Sequence, residues 1–275
     1  MGCGDVDDTA PADPPGTTRI EFRAMVGDLP FRCGQRYPGI GTSGSSVEGV
    51  DFRLYVHDVQ LVRADGTRVP FQLVPDGRFQ SGSIALLDFE DGSAACETGS
   101  PETHTSLLGR APAGAYTGIA FKLGVPQAQN HLNAPSAPAP LNIPGLWWSW
   151  SGGYKFARID MRSTGNRFYY FHLGATTCLG SVAMGFSCAY GNRPEIVVNG
   201  MDPTRNAIRL DLRSLYAGVD VDRRPDGMTD NIAGCMAFAG DPECPAMFGA
   251  LGMAFTDRPQ MGTAQTMFSA MPRTP

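Results

Sequence analysis

No CxxC pair occurs in the 275 residues, which argues against a zinc ribbon or a thioredoxin-type redox site. Also missing are GxSxG, HExxH, a P-loop and a GxGxxG ahead of a helix, so nothing flags a nucleophile elbow, a zincin helix or a phosphate cradle. No apolar run is long enough to cross a bilayer. Charged residues make up only 18% of the chain, the net charge is −5 and no basic cluster stands out. Nucleic acid and anionic membrane surfaces are therefore poor partners. Long Glu/Lys-rich stretches and repeats of solenoid period are absent too, which leaves strands and loops as the default architecture.

Glycine (34) and proline (22) are plentiful, and 42% of the residues are hydrophobic. Residues 1–18 form an acidic, Pro- and Thr-rich stretch without periodicity and read as a flexible tether. Residues 19–275 read as a single domain. Alternation begins at Arg19–Ala24, a half-buried strand. In Asp51–Val62, Phe52, Leu54 and Val56 share a face and Val59 and Leu61 resume in the opposite phase. The slip at His57-Asp58 predicts a bulge. Asp65-Gly66 signals a hairpin, Ile84–Phe89 a buried strand and Tyr116–Val125 a strongly alternating one. Pro126–Gly145 holds five prolines and cannot be regular; a loop of that length is often functional. Tyr154–Met161 and Arg167–Leu173 form an antiparallel pair through a turn at Thr164-Gly165-Asn166. Glu195–Asn199 and Ala207–Leu212 follow, with short helical patches near Pro245–Met253. About nine strands at this spacing predict a mainly β fold, an antiparallel sandwich or distorted barrel with long loops.

Seven cysteines are present. Cys178 and Cys188 are ten residues apart and Cys235 and Cys244 nine, so each pair can close a short loop. Cys33 and Cys96 would then form a longer staple, one arrangement among the many open to six cysteines. Paired cysteines imply an oxidising compartment. The odd one is Cys3, in Met1-Gly2-Cys3-Gly4. Gly-Cys is what surrounds the cleavage point of a bacterial lipoprotein, which makes Cys3 a candidate lipid anchor; the alternative is a free thiol on a frayed tail.

Candidate chemistry is sparse. Asp88 and Glu90, two apart on a strand, share a face as glycosidase carboxylates would, although such pairs are usually solvated or bonded to backbone. Asp220–Gly227 is acidic but lacks EF-hand spacing, so an ordinary turn is expected. Only four histidines exist. His57 reads as an edge residue or as a support behind a ligand, and His104 as a solvated loop residue. His131 lies in the Pro-rich loop, and His172 lies on the strand face of Phe168 and Tyr170, amid aromatic rings. Two imidazoles in a dry aromatic pocket suit Cu(I), and donor softness alone also admits zinc. All three tryptophans fall within Trp147–Trp150. Strand alternation would put Trp148 and Trp150 on one side and Trp147 on the other. By composition the three indoles read first as a hydrophobic plug or a sugar-stacking platform.

The run Gly145–Phe156, with Trp148-Ser149-Trp150 and Gly153-Tyr154-Lys155-Phe156, resembles the WxW-x-x-GYKF segment of the MbnP-like family. Pieces in the same order agree: Phe52–Val56 with Asp58-Val59, Leu86–Phe89, Asn130-His131 with Asn133, His172-Leu173-Gly174 before Cys178, Asp202–Asn206, and Cys235-Met236 through Asp241–Cys244. The likeness covers roughly residues 19 to 255. It implies an exported, surface-associated or periplasmic β protein with paired cysteines that is not itself an enzyme. In copper-binding relatives the ion is held by two histidines and by kynurenine made from tryptophan. Carried over, His131 and His172 would be the imidazole ligands of copper, most readily Cu(I), and Trp150 or Trp148 the modified residue. The implied oxidant is a partner dihaem enzyme of the MauG/cytochrome c peroxidase type, MbnH. The alternative is a carbohydrate-binding module that uses Trp147, Trp148 and Trp150.

Overall fold

The computed structural model describes residues 13–164, 168–223, 233–255 and 264–273. Cys3, most of the tether and the Gly165-Asn166 turn lie outside them, as do Asp226 and Gly227.

The first alternating segment forms the strand Thr18–Val26, with Ile20, Phe22, Ala24 and Val26 turned inward. It is the middle of a six-stranded sheet. On one side it pairs in parallel with Asn206–Asp211, and beyond that lies Phe268–Pro272. On the other side it pairs antiparallel with Ser106–Arg110, which is followed by Gln72–Leu73. A nine-stranded sheet runs in the order Glu195–Asn199, Gly118–Leu123, Ser45–Val62, Ala157–Ser163, Phe168–Leu173 and Ala233–Cys235. Phe22 and Phe268 of the smaller sheet meet Phe121 of the larger edge-on, at centroid distances of 5.9 and 5.6 Å. Burying each such ring is worth about 1.5–3 kcal/mol. The sheets are open, so of the two predicted architectures the sandwich is the one that forms, and the barrel is not.

Ser45–Val62 is the organising strand. It is longer than alternation alone implied and is buried on both faces through its middle, where the Tyr55 hydroxyl reaches the Pro140 carbonyl of the Pro-rich segment. Its predicted irregularity is present: Asp58 has φ 51° and the register against Gly118–Leu123 shifts between His57 and Gln60. The Asp65-Gly66 hairpin forms with Leu61 opposite Val69. The strand count was low by half. Nineteen strands occur among the described residues, the surplus being partly two- and three-residue pieces such as Leu29–Pro30 that are too short to show a period, and partly strands such as Arg36–Ile40 and Ser106–Arg110 that lie in segments read as loops. Two pairings are parallel, Thr18–Val26 with Asn206–Asp211 and Phe168–Leu173 with Ala233–Cys235, so the sheets are mixed rather than purely antiparallel. Leu212 is not in a strand; it opens the helix Leu212–Tyr216, capped by the Asp211 carboxylate.

All three expected disulfides are present: Cys33–Cys96, Cys178–Cys188 and Cys235–Cys244. The Cys178–Cys188 loop is itself a β-hairpin, Thr176–Ser181 against Gly185–Tyr190, with the two cysteines directly opposite.

Candidate functional site

The Pro-rich segment has no extended regular structure, only the single 3₁₀ turns Gln127–Gln129, Ala134–Ser136 and Pro144–Leu146. Core groups hold it in place. The buried hydroxyls of Tyr55 and Tyr154 donate to the carbonyls of Pro140 and Leu141 at 3.0 and 2.7 Å, and Leu141 and Leu146 are buried beneath the loop. Asn130 is wholly buried, and its Oδ1 accepts from the Tyr154 backbone N–H at 3.2 Å. Gly153 permits this approach. It has φ 72°, and a Cβ there would lie 2.5 Å from Asn130 Nδ2.

This anchoring sets His131 beside the tryptophan segment. Nδ1 of His131 is 2.8 Å from the Trp150 carbonyl oxygen, to which it must donate. The Asn130 amide donates to Nε2 at 3.1 Å, so Nε2 carries the lone pair. Cys188 Sγ lies 3.4 Å from that same nitrogen, and Phe186 stacks on the ring at 4.5 Å. His131, Trp150, Leu132, Val182 and Phe186 line a cavity of about 580 Å³.

The tryptophans do not follow simple alternation. The strand Trp147–Ser149 ends before Trp150 and carries a register shift against Gly153–Tyr154. Trp150 therefore lies in the turn, meets Trp147 edge-on at 5.8 Å and is 40% exposed. Trp148 goes elsewhere. It stacks on Phe238 and covers Gly174, where a Cβ would fall 2.3 Å from the indole. Trp148 and Trp150 thus share no face, and one face of Trp148 is occupied, so the three indoles form no common sugar-stacking platform.

His172 is 7% exposed and packs against Tyr170 as expected. Its direct partner across the ladder is Arg158, and its Nε2 donates to the diagonal neighbour, Asp160 Oδ1, at 2.9 Å. In the neutral ring this leaves Nδ1 with the lone pair. Asp160 is one end of a buried chain of charges. Arg158 Nε lies 2.8 Å from Asp160 and 3.1 Å from Asp51. Asp51 takes two hydrogen bonds from Arg53, whose Nη1 is 3.5 Å from Glu90. Burial alone would raise the Asp160 carboxyl, but the bonds from His172 and Arg158 outweigh it and hold it below its ordinary value. Burial raises Asp51 and Glu90 despite Arg53. Asp88, beside them, is pushed up to about 8, chiefly by burial and then by the Glu90 charge.

None of Asp51, Arg53, Arg158 and Asp160 was a sequence-level candidate. The available signal was charge in the middle of strands whose other positions are apolar, where an unpaired ion is too costly to bury.

The remaining candidates are structural. His57 is buried with Nδ1 on the Gly124 carbonyl. His104 is not solvated, contrary to its polar sequence context. It stacks on Phe79 at 5.0 Å, and Nδ1 meets the Leu86 carbonyl. Asp88 and Glu90 are buried, not solvated, and Glu90 accepts from the N–H groups of Gly92 and Ser100. Asp220 accepts from the Asp222 N–H in an acidic turn. Three groups of metal-type donors occur among the described residues: His131 with Cys178 and Cys188, Cys33 and Cys96 with Glu90, and Cys235 and Cys244 with Asp241. All the cysteines in them are oxidised. His131 and His172 keep separate contacts, the first with Trp150 and Cys188, the second with Asp160 and Tyr170.

Three disulfides fit an oxidising, extracytoplasmic environment, and no described helix is long and apolar enough to cross a membrane. No curated protein matches the sequence. A solved structure, MbnP from Methylosinus trichosporium, superposes with a TM-score of 0.82 at 30% identity, covering 94% of this chain and 99% of that one. The MbnP family profile matches residues 15–237. On the sequence match and the shared fold together, the chain belongs to the MbnP family.

Proposed function

We propose that this chain is an exported copper-binding protein of the MbnP type rather than an enzyme, with His131, His172 and a kynurenine derived from tryptophan as ligands. One observation carries the reading: each imidazole has one nitrogen committed to a protein acceptor, which puts the lone pair on the other nitrogen, where in His131 it takes only the Asn130 amide. A carbonyl or carboxylate on the far nitrogen is how metal-binding histidines have their tautomer and orientation set. His131 and His172 use Trp150 and Asp160 for this. Neutral imidazoles suit copper. An indole nitrogen only donates hydrogen, whereas ring-opening exposes an aromatic amine able to bind the ion.

Trp150 is the better candidate for conversion. Its carbonyl holds His131 and its ring is 40% exposed, while Trp148 is stacked on Phe238. The oxidant in this reading is a dihaem MauG/cytochrome c peroxidase-type enzyme, MbnH, and this chain is its substrate. The compartment is the periplasm or the cell surface, with Cys3 as a lipid anchor.

Coexpression with such a dihaem enzyme is expected to change the mass of the peptide carrying Trp148 and Trp150 and to raise copper stoichiometry. His131→Ala and His172→Ala should each lower it. An unchanged peptide mass removes the kynurenine; undiminished copper in both variants removes the histidine ligands.

A further inference from the structure

The Cys178–Cys188 disulfide sits against Nε2 of His131, the ring nitrogen that carries the lone pair and takes the Asn130 amide at 3.1 Å, a contact that a metal ion on Nε2 would replace. One ring nitrogen of His131 and the two sulfurs all lie within 4.8 Å of one another, with Cys188 Sγ 3.4 Å from Nε2. Disulfide sulfurs are poor ligands, whereas thiolates are strong, soft ones. We propose that reductive opening of Cys178–Cys188 creates a distinct metal site in which both thiolates and His131 Nε2 hold a soft d¹⁰ cation such as Cu(I) or Zn(II). It shares His131 with the copper reading above but needs neither His172 nor a modified tryptophan.

The cysteines would stay in position after reduction, because they do not rely on the S–S bond alone. The ladder pairs Thr176 with Tyr190, Leu179 with Ser187, Gly180 with Phe186 and Ser181 with Gly185, on both sides of the Cys178/Cys188 rung. The hairpin is a separate two-stranded sheet, so opening the bond leaves the ladders of both large sheets intact. The imidazole is likewise preset, by the Trp150 carbonyl on Nδ1.

Access singles out this bond. Cys235 and Cys244 are fully buried, and Cys96 is 1% exposed although its partner Cys33 is half-buried, so only Cys178–Cys188 has both of its cysteines half-buried. The other two donor groups pair a disulfide with a carboxylate already bonded to backbone N–H groups: Glu90 to Gly92 and Ser100, Asp241 to Met236 and Glu243.

The reductant is a dithiol. Its thiolate attacks one sulfur, the Cys178–Cys188 bond breaks, and the mixed disulfide resolves to the cyclic disulfide of the reductant. Two electrons and two protons pass to the cysteines, and the protons leave to water when the thiolates bind metal.

The test uses the full chain, untreated or reduced with dithiothreitol and then freed of reductant under argon, with Co(II) as the probe. Reduced protein should show near-ultraviolet thiolate-to-cobalt charge-transfer absorption that untreated protein lacks. The band should vanish in Cys178→Ser/Cys188→Ser and after alkylation of reduced wild type, and weaken in His131→Ala. Peptide mapping should find Cys178 and Cys188 alkylated before the other four paired cysteines. No band in reduced protein, a band that persists in the double serine variant, or earlier labelling of Cys235 and Cys244 would overturn the proposal. Copper uptake by untreated protein tests the preceding reading instead, so the two can fail separately.

Discussion

Asp160 does two jobs at His172: it accepts the Nε2 proton and it closes the chain of buried charges through Arg158. Asp160→Asn keeps an acceptor oxygen but removes the charge that strengthens the imidazole as a donor. Copper binding, measured by competition with a chromophoric chelator, should weaken about ten- to hundredfold, the usual effect of changing such a partner. Asp88 behaves differently. Its carboxyl, raised to about 8 by burial, is protonated in the folded chain at pH values where the unfolded chain has lost the proton. The folded state then binds more protons, so this group's contribution to stability falls as pH rises from about 4 to about 8 and levels off above that. Asp88→Asn should flatten the pH dependence of the urea midpoint across that window, by up to about 1.4 kcal/mol per pH unit. An unaltered slope would mean that Asp88 is ionised in the fold.

The Pro-rich loop could be recognised from its prolines and from Asn130-His131, but its path could not. Its placement depends on hydroxyls from Tyr55 and Tyr154, on strands distant in sequence or beyond the loop, and on Asn130 reaching the Tyr154 N–H. Asn130→Ala leaves that buried N–H without its side-chain acceptor and frees the amide contact to His131. A loss of about 1–3 kcal/mol in chemical denaturation is expected, with faster hydrogen exchange at Tyr154. The tryptophan segment shows the limit of period-based reading. Alternation put Trp148 beside Trp150, yet the strand stops at Ser149 and the turn carries Trp150 to Trp147 instead. The cystine hairpin was invisible to the same method, since its strands are short and largely exposed and so carry no clean apolar period.

Across the whole molecule, the disulfides differ in reach. Cys33–Cys96 spans 63 residues and Cys178–Cys188 only 10, so the chain-entropy model assigns them about 4 and about 3 kcal/mol. The Cys33→Ser/Cys96→Ser variant should therefore lose more stability in guanidinium than Cys178→Ser/Cys188→Ser. The reverse order would show that the hairpin staple supports more than its own ladder. Composition, cysteine spacing and strand periods were enough for a disulfide-braced β domain and for most long strands, because these are local patterns written in consecutive residues, whereas His131, His172 and the tryptophans stood out as a set only through the resemblance to the MbnP-like family. Whether the domain is open or closed, which strands run parallel, how His131 meets Trp150 and Cys188, and which acid holds His172 are decided by tertiary structure. Each of those depends on residues far apart in the chain that come together only when the two sheets close over a common core.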